Sequence, residues 1–334
     1  MTTELRTPET VAVTGASGFL GSHMSERLIA EGCRLRVLAR DPGKARFLRD
    51  RVDAVVTGDI ADPAPLAELA RGCDTFVHLV SNFRVVKGAP ESYHRTNTEG
   101  TRVALAAAAE AGVRRFVHCS TIGVHGDVRS SPADENAPFN PGDLYQETKL
   151  LAEHACRESM ADTDMEIVII RPTSQYGPGD LRMLKMFRML AEGKFVMIGS
   201  CQANFHAVYI DDLVDGFLRA MTRPGISGET FLVGGPRYVT LEEYIRTAAA
   251  ALGAAPPRWH LPYWPVHAAA WTCEALCRPL GIEPPLHRRR VRFFRNNRAF
   301  SIDKARRLLG YDPRIDLAEG MRRTVDWYRE QGLL

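Results

Sequence analysis

The chain has 334 residues, 45% of them hydrophobic, and a formal net charge of +3. That length and apolar content can bury a large core, and they suit one large α/β domain with a smaller appended lobe. So small a charge is no electrostatic footprint for nucleic acid, and the seven scattered cysteines lack the paired C-x-x-C spacing of a structural zinc site.

In chain order, the polar stretch MTTELRTPET runs straight into a strand. It has neither the apolar core of a signal peptide nor the length of a bilayer span, so no export or transmembrane segment is expected and a cytoplasmic location is. VAVTG reads as a strand and FLGSHMSERLIAEG as a helix; RLRVLAR is followed by a charged helix, and DAVVTGD by PLAELARG. DTFVHLV precedes an Ala-rich helix over 103–111, then come RRFVHCS and EIVIIRP. Such alternation predicts an α/β fold, a doubly wound parallel sheet covered by helices on both faces. After Arg171 the rhythm changes to loops rich in Gly and Pro (GPGD, RPGISGE, GGPRY, APPRWHLPYWP, GIEPP) between helices and short strands.

Immediately after the first strand stands Thr14-Gly15-Ala16-Ser17-Gly18-Phe19-Leu20-Gly21, opening a helix. Glycines at this spacing permit the tight turn, let the backbone approach a pyrophosphate and let helix pack on strand, while the helix N-terminus favours negative charge. A dinucleotide is the expected ligand, with Gly15, Ser17, Gly18, Phe19, Leu20 and Gly21 around it. Residues 1–171 then read as a Rossmann-type dinucleotide-binding domain that carries the catalytic residues. Residues 172–334 read as mostly a substrate-binding lobe, some of whose segments are free to return to the sheet.

The T-G-x-x-G-x-x-G loop resembles that of the extended short-chain dehydrogenases/reductases, the superfamily of NAD-dependent epimerases/dehydratases, 3β-hydroxysteroid dehydrogenases and dihydroflavonol reductases. The resemblance recurs in Gly58-Asp59-Ile60, His78-Leu79-Val80-Ser81, the N-x-x-G-T segment at Asn97, Cys119-Ser120-Thr121-Ile122-Gly123-Val124-His125-Gly126, Tyr145-x-x-x-Lys149, Arg171-Pro172, Tyr176-Gly177-Pro178 and Val208-Tyr209-Ile210-Asp211-Asp212. It implies that Asp59 and Ile60 flank adenine, that Leu79, Val80, Ser81, Ser120, Pro172 and Thr173 line the cofactor, and that Lys149 holds the nicotinamide ribose. It also implies a homodimer formed through the Ala-rich helix and the helix of Tyr145.

Tyr145 and Lys149, at i and i+4, share one helical face, so an ammonium is expected close to a phenol, favouring the phenolate of a general acid/base. Thr121, preferred over Ser120, is expected to hydrogen-bond the reacting oxygen, Ser120 lying closer to the cofactor. Asn97 either positions water or fixes helix geometry. Ser81, Thr121, Ser174 and His206 are the expected substrate contacts, and no metal site is expected. Retention of both Tyr145 and Lys149 argues against an inactive sensor or scaffold, which stays as an alternative.

At the end of the second strand Arg40 stands where an acidic residue would bind the ribose hydroxyls of NAD. NADP(H) is therefore favoured, with NAD(H) the alternative if Asp41 is the ribose ligand. Arg36, on the same side of that strand, is the residue expected to mask Arg40. Ser174 replaces the Asn usual in sugar-nucleotide enzymes after the sixth strand, and Asn204-Phe205-His206-Ala207 lacks their diphosphate-holding arginine. The first reading is thus interconversion of a secondary alcohol and a ketone on an apolar, steroid- or flavonoid-like substrate; a sugar-nucleotide 4-epimerase or dehydratase is the alternative. The simplest reading of 259–280, with its three tryptophans, is a core helix of the smaller lobe. An apolar pocket wall, or a peripheral membrane face beside the basic cluster at 288–292, is the other.

Overall fold

The computed structural model describes residues 9–83, 90–129, 131–277 and 284–334. The first half runs β1 (Thr10–Thr14), α1 (Phe19–Ala30), β2 (Arg34–Ala39), β3 (Ala54–Thr57), α2 (Pro63–Ala70), β4 (Thr75–His78), α3 (Glu91–Tyr93), α4 (Gly100–Glu110), β5 (Arg115–Cys119), α5 (Leu144–Ser159) and β6 (Glu166–Pro172). After it come β7 (Ser174–Tyr176), α6 (Leu184–Ala191), β8 (Met197–Ile198), β9 (Asn204–Phe205), β10 (Ala207–Tyr209), α7 (Ile210–Thr222), β11 (Thr230–Val233), β12 (Val239–Thr240) and α8 (Leu241–Leu252). The chain finishes through β13 (His260–Leu261), α9 (Tyr263–Cys277), α10 (Arg288–Phe293) and α11 (Leu317–Glu330).

Seven parallel strands form the central sheet in the order β11-β6-β5-β4-β1-β2-β3. Side chains of a strand alternate between faces, and the two cores follow that alternation. Val11, Val13, Val37 and Val117 face one core with α1 and α7, while Ala12, Leu38, Phe76 and Phe116 face another with α2, α4 and α5. A sheet buried on both faces accounts for strands that read as continuous apolar runs. Strand order reverses between β1 and β4, and doubly wound sheets bind ligands at the carboxyl ends of the strands at such a point. The edge strand β11 comes from beyond residue 171 and pairs with β6 from Thr230–Ile169 to Val233–Pro172.

Two local expectations change. After β2 the chain makes a 3-10 turn over Pro42–Leu48, because Asp41 caps it by accepting from Gly43 N at 2.9 Å. And α9 is not a core helix: of its residues only Ala270 and Glu274 are buried. Residues 278–280 of that segment lie outside the described ones.

Candidate active site

The turn after β1 is built for close approach. Gly15 has φ +76°, and a Cβ there would stand 3.0 Å from Val80 N and 3.1 Å from the Leu79 carbonyl carbon. At Gly21 a Cβ would fall 1.9 Å from Gly15 O, so α1 can seat on the turn only with glycine at this position. Gly18 N donates to Gly15 O at 2.9 Å, and Gly18 caps α1 with no side-chain oxygen. Backbone N–H groups of a helix's first turn have no intrahelical acceptor, and here Ser17 and Gly18 are exposed, Phe19 is half-buried and Leu20 is buried. A pyrophosphate fits that cradle.

Around it, Leu79 N donates to Thr14 O at 3.2 Å, which keeps half-buried Leu79 and Val80 at the sheet's switch point. Asp59 accepts from Ala61 N at 3.0 Å and lies 3.5 Å from Arg95, with Ile60 buried beside it. Arg40 is exposed at the end of β2, whereas the Asp41 carboxylate is engaged by its own turn. Arg36 does not join Arg40. Its guanidinium donates to Glu68 O at 2.8 Å and Leu69 O at 3.2 Å, closing the end of α2.

On α5, Asp143 caps the helix by accepting from Gln146 N at 3.0 Å, which sets Tyr145 in the first turn and Lys149 one turn on. The hydroxyls of Ser81 and Thr121 lie against the Tyr145 phenol and favour its ionised form, but burial outweighs them and pushes it up to about 12. Lys149, one turn on, has two partners of its own. Lys149 is 1% exposed, and its Nζ donates to Cys119 O at 2.5 Å and meets His118 Nε2 at 3.3 Å. A backbone carbonyl and a ring have taken the ammonium, and burial pushes its pKa down.

Beneath Lys149 the histidines of β4 and β5 stack, ring centroids 5.5 Å apart. His78 shares hydrogen bonds with Thr14 Oγ1 at 2.9 Å and Thr101 Oγ1 at 3.1 Å. Burial, with Lys149 nearby, pushes His78 down to about 3 and His118 well below its ordinary value, so both rings are neutral. Sequence reading passed over this pair. Its one signal is a histidine at or next to the end of two strands with apolar centres.

Ser120 and Thr121 part company. Ser120 Oγ donates to Glu153 at 2.5 Å, and the fully buried Glu153 takes Nε and a second nitrogen of Arg171 at 2.8 and 2.6 Å. Arg171 also reaches His125 Nε2 at 2.9 Å. Thr121 accepts from Gly123 N at 3.0 Å, capping the turn Ile122–His125, with its hydroxyl still against Tyr145. Fully buried Asn97, on a π-helical turn, accepts from Asn82 N at 2.7 Å and donates to Asn82 O at 3.0 Å and Thr148 Oγ1 at 2.9 Å. Both its N–H groups are used, so it clamps the segment after β4 onto α5.

Past β6, Pro172 and Thr173 are buried, and Thr173 N donates to Val233 O at 2.9 Å. Half-buried Ser174 donates its N–H to His206 O at 2.9 Å. His206 is 1% exposed, with Nε2 at 3.0 Å from Gly235 O, and a Cβ on Gly234 would stand 2.7 Å from its ring. A ring held this way frames β10 and is not an open donor to substrate. Among the described residues no group of three or more His, Cys, Asp or Glu could hold a metal ion.

Residues 11–234 match the NAD dependent epimerase/dehydratase family. A ceramide reductase of Caulobacter vibrioides is 31% identical over 339 residues, covering 97% of this chain and 96% of that protein. A 3-beta-hydroxysteroid dehydrogenase of Mycolicibacterium neoaurum is 31% identical over 337 residues, covering 96% and 91%. Among solved structures, the dTDP-glucose 4,6-dehydratase DesIV of Streptomyces venezuelae, with NAD and TYD bound, superposes with a TM-score of 0.76 at 26% identity, covering 96% of this chain and 97% of that one. With its glycine cradle at the switch point of a seven-stranded parallel sheet, the chain belongs to the NAD dependent epimerase/dehydratase family, and is an enzyme of the extended short-chain dehydrogenase/reductase type.

Proposed function

We propose that the protein interconverts a secondary alcohol and a ketone on an apolar substrate, with a nicotinamide dinucleotide in the cradle after β1. The observation that carries this reading is the placing of Tyr145 in the first turn of α5 and buried Lys149 one turn on, with the glycine cradle after β1 at the sheet's switch point. The dinucleotide, when bound, supplies or accepts the hydride. In reduction Tyr145 donates its phenolic proton to the substrate oxygen as negative charge develops there, and in oxidation it takes that proton back. A phenol held up to about 12 is protonated at neutral pH and ready for the first of these roles. Thr121, with Ser81, orients the substrate oxygen by hydrogen bonding. Lys149 brings a buried positive charge one helical turn away and is proposed to hold the nicotinamide ribose.

In this reading residues 1–171 bind the cofactor and carry the catalytic groups, residues 172–334 supply most of the substrate lobe, and the enzyme works in the cytoplasm. Two relatives at 31% identity carry names that point to ceramide and to a hydroxysteroid, both largely apolar molecules. Ser174, and the stretch Asn204 to Ala207 without arginine, fit that class better than a sugar nucleotide. Exposed Arg40, beside an Asp41 already spent on its turn, favours NADP(H) over NAD(H).

The test is turnover of a panel of sterols, ceramide-like ketones and sugar nucleotides with both cofactors, followed by nicotinamide absorbance and product analysis. Wild-type enzyme should turn over the apolar ketones. Tyr145→Phe should lose turnover by about 100-fold or more while binding cofactor nearly as before, since only the titrating hydroxyl is removed. Comparable turnover by the variant, or turnover of sugar nucleotides alone, would overturn the reading.

A further inference from the structure

The described part of the smaller lobe carries a largely exposed aromatic face. Trp259 is 76% exposed, Trp264 65%, Trp271 58% and Leu276 66%. On α9, Trp264, Ala268, Trp271 and Ala275 follow one another at steps of four, three and four, so they share one helical face. All four are exposed. Single exposed apolar side chains are ordinary, but aromatic side chains gathered on one face mark a binding surface.

Charge identifies the partner. From residue 258 to 298 the sequence has eight arginines and only two carboxylates, Glu274 and Glu283. Glu274 is turned inward and taken by Arg288, whose backbone N and Nε each donate to it at 2.7 Å. Glu283 lies outside the described residues. The Arg295 guanidinium sits over the rings of Tyr263 at 5.4 Å and Trp264 at 5.1 Å, so this cation and the aromatic face form one patch, and Arg258, Arg290 and Arg292, close by in the chain, are exposed as well. Two copies meeting through this face about a twofold axis would bring like charges together. An anionic bilayer offers the opposite charge, and tryptophan rings settle at its interface while arginines meet the headgroups.

We propose that α9, with Trp259 and the arginines around it, docks on an anionic lipid surface. The contact is interfacial, because no helix among the described residues is long and apolar enough to cross a membrane. It is independent of the catalytic reading.

The whole chain is mixed with vesicles of phosphatidylcholine alone and of phosphatidylcholine with phosphatidylglycerol, without substrate or cofactor. Three of the four tryptophans lie in or next to the patch, so intrinsic emission reports on it directly. A blue shift and co-sedimentation with the anionic vesicles, both reversed by high salt, are expected. Trp264→Ala with Trp271→Ala, both at exposed positions, should lower vesicle affinity roughly tenfold or more. Arg292→Glu with Arg295→Glu should remove the preference for anionic lipid. Folding of each variant is checked by circular dichroism and cofactor binding. Tyr145→Phe should bind vesicles like the wild type, which separates this proposal from the catalytic one. Binding to neither vesicle, equal binding to both, unchanged binding by the variants, or a dimer that the tryptophan variants split into monomers would each overturn it.

Discussion

Arg40 and Asp41 are neighbours in sequence with different occupations in space. Asp41 is held by Gly43 N at 2.9 Å, while Arg40 is exposed beyond the last residue of β2. Arg40→Ala should therefore weaken NADPH binding by about 1.5 to 3 kcal/mol, the scale of a charge-assisted hydrogen bond, and scarcely change NADH binding. Both dissociation constants follow from quenching of tryptophan fluorescence; equal losses for the two cofactors would return the ribose to Asp41. Arg36, with its guanidinium on the carbonyls of Glu68 and Leu69, should not mask the effect. Spacing alone put Tyr145 and Lys149 on one face of a helix. It did not say that Lys149 would meet Cys119 O, because a residue thirty positions away in sequence arrives there only through the sheet. Ser120 and Thr121 were likewise open until Glu153 claimed the first.

Strands β4 and β5 each end near a buried histidine, and burial of these two rings makes the sheet sensitive to acid. His78 is pushed down to about 3 and His118 well below its ordinary value. As pH falls from about 6.5, the unfolded chain protonates these rings and the folded protein does not, so the unfolded state binds more protons and stability drops. Each such ring steepens the loss by about 1.4 kcal/mol per pH unit within that window. Urea midpoints at neutral pH and at successive lower values should show this loss, and His78→Gln should flatten it. An unchanged slope in the variant would mean that His78 is not a titrating group. Period and composition identified both strands, because buried parallel strands read as apolar runs. They could not show that two histidines of separate strands stack, since strand order is not written in any one segment.

For the whole molecule, the outer faces of α4 and α5 carry exposed Ala106 and Leu151, and we propose that a homodimer forms through this pair of helices. Light scattering at micromolar concentration should give twice the 37.1 kDa mass of the chain. Leu151→Glu should lower that mass; a monomeric wild type would rule the dimer out. Three things were already determined by sequence alone: the alternation of strands and helices, the glycine turn, and the Tyr-x-x-x-Lys helix. Each depends on residues close together in the chain, where backbone geometry and helical period suffice. Tertiary structure decided the rest: the entry of β11 at the sheet edge, the burial of His206 against Gly234 and Gly235, the hydrogen bond of Ser120 to Glu153, and the exposure of α9. Those depend on which distant segments meet, and an apolar or polar side chain looks the same in sequence whether it ends against a neighbour or against solvent.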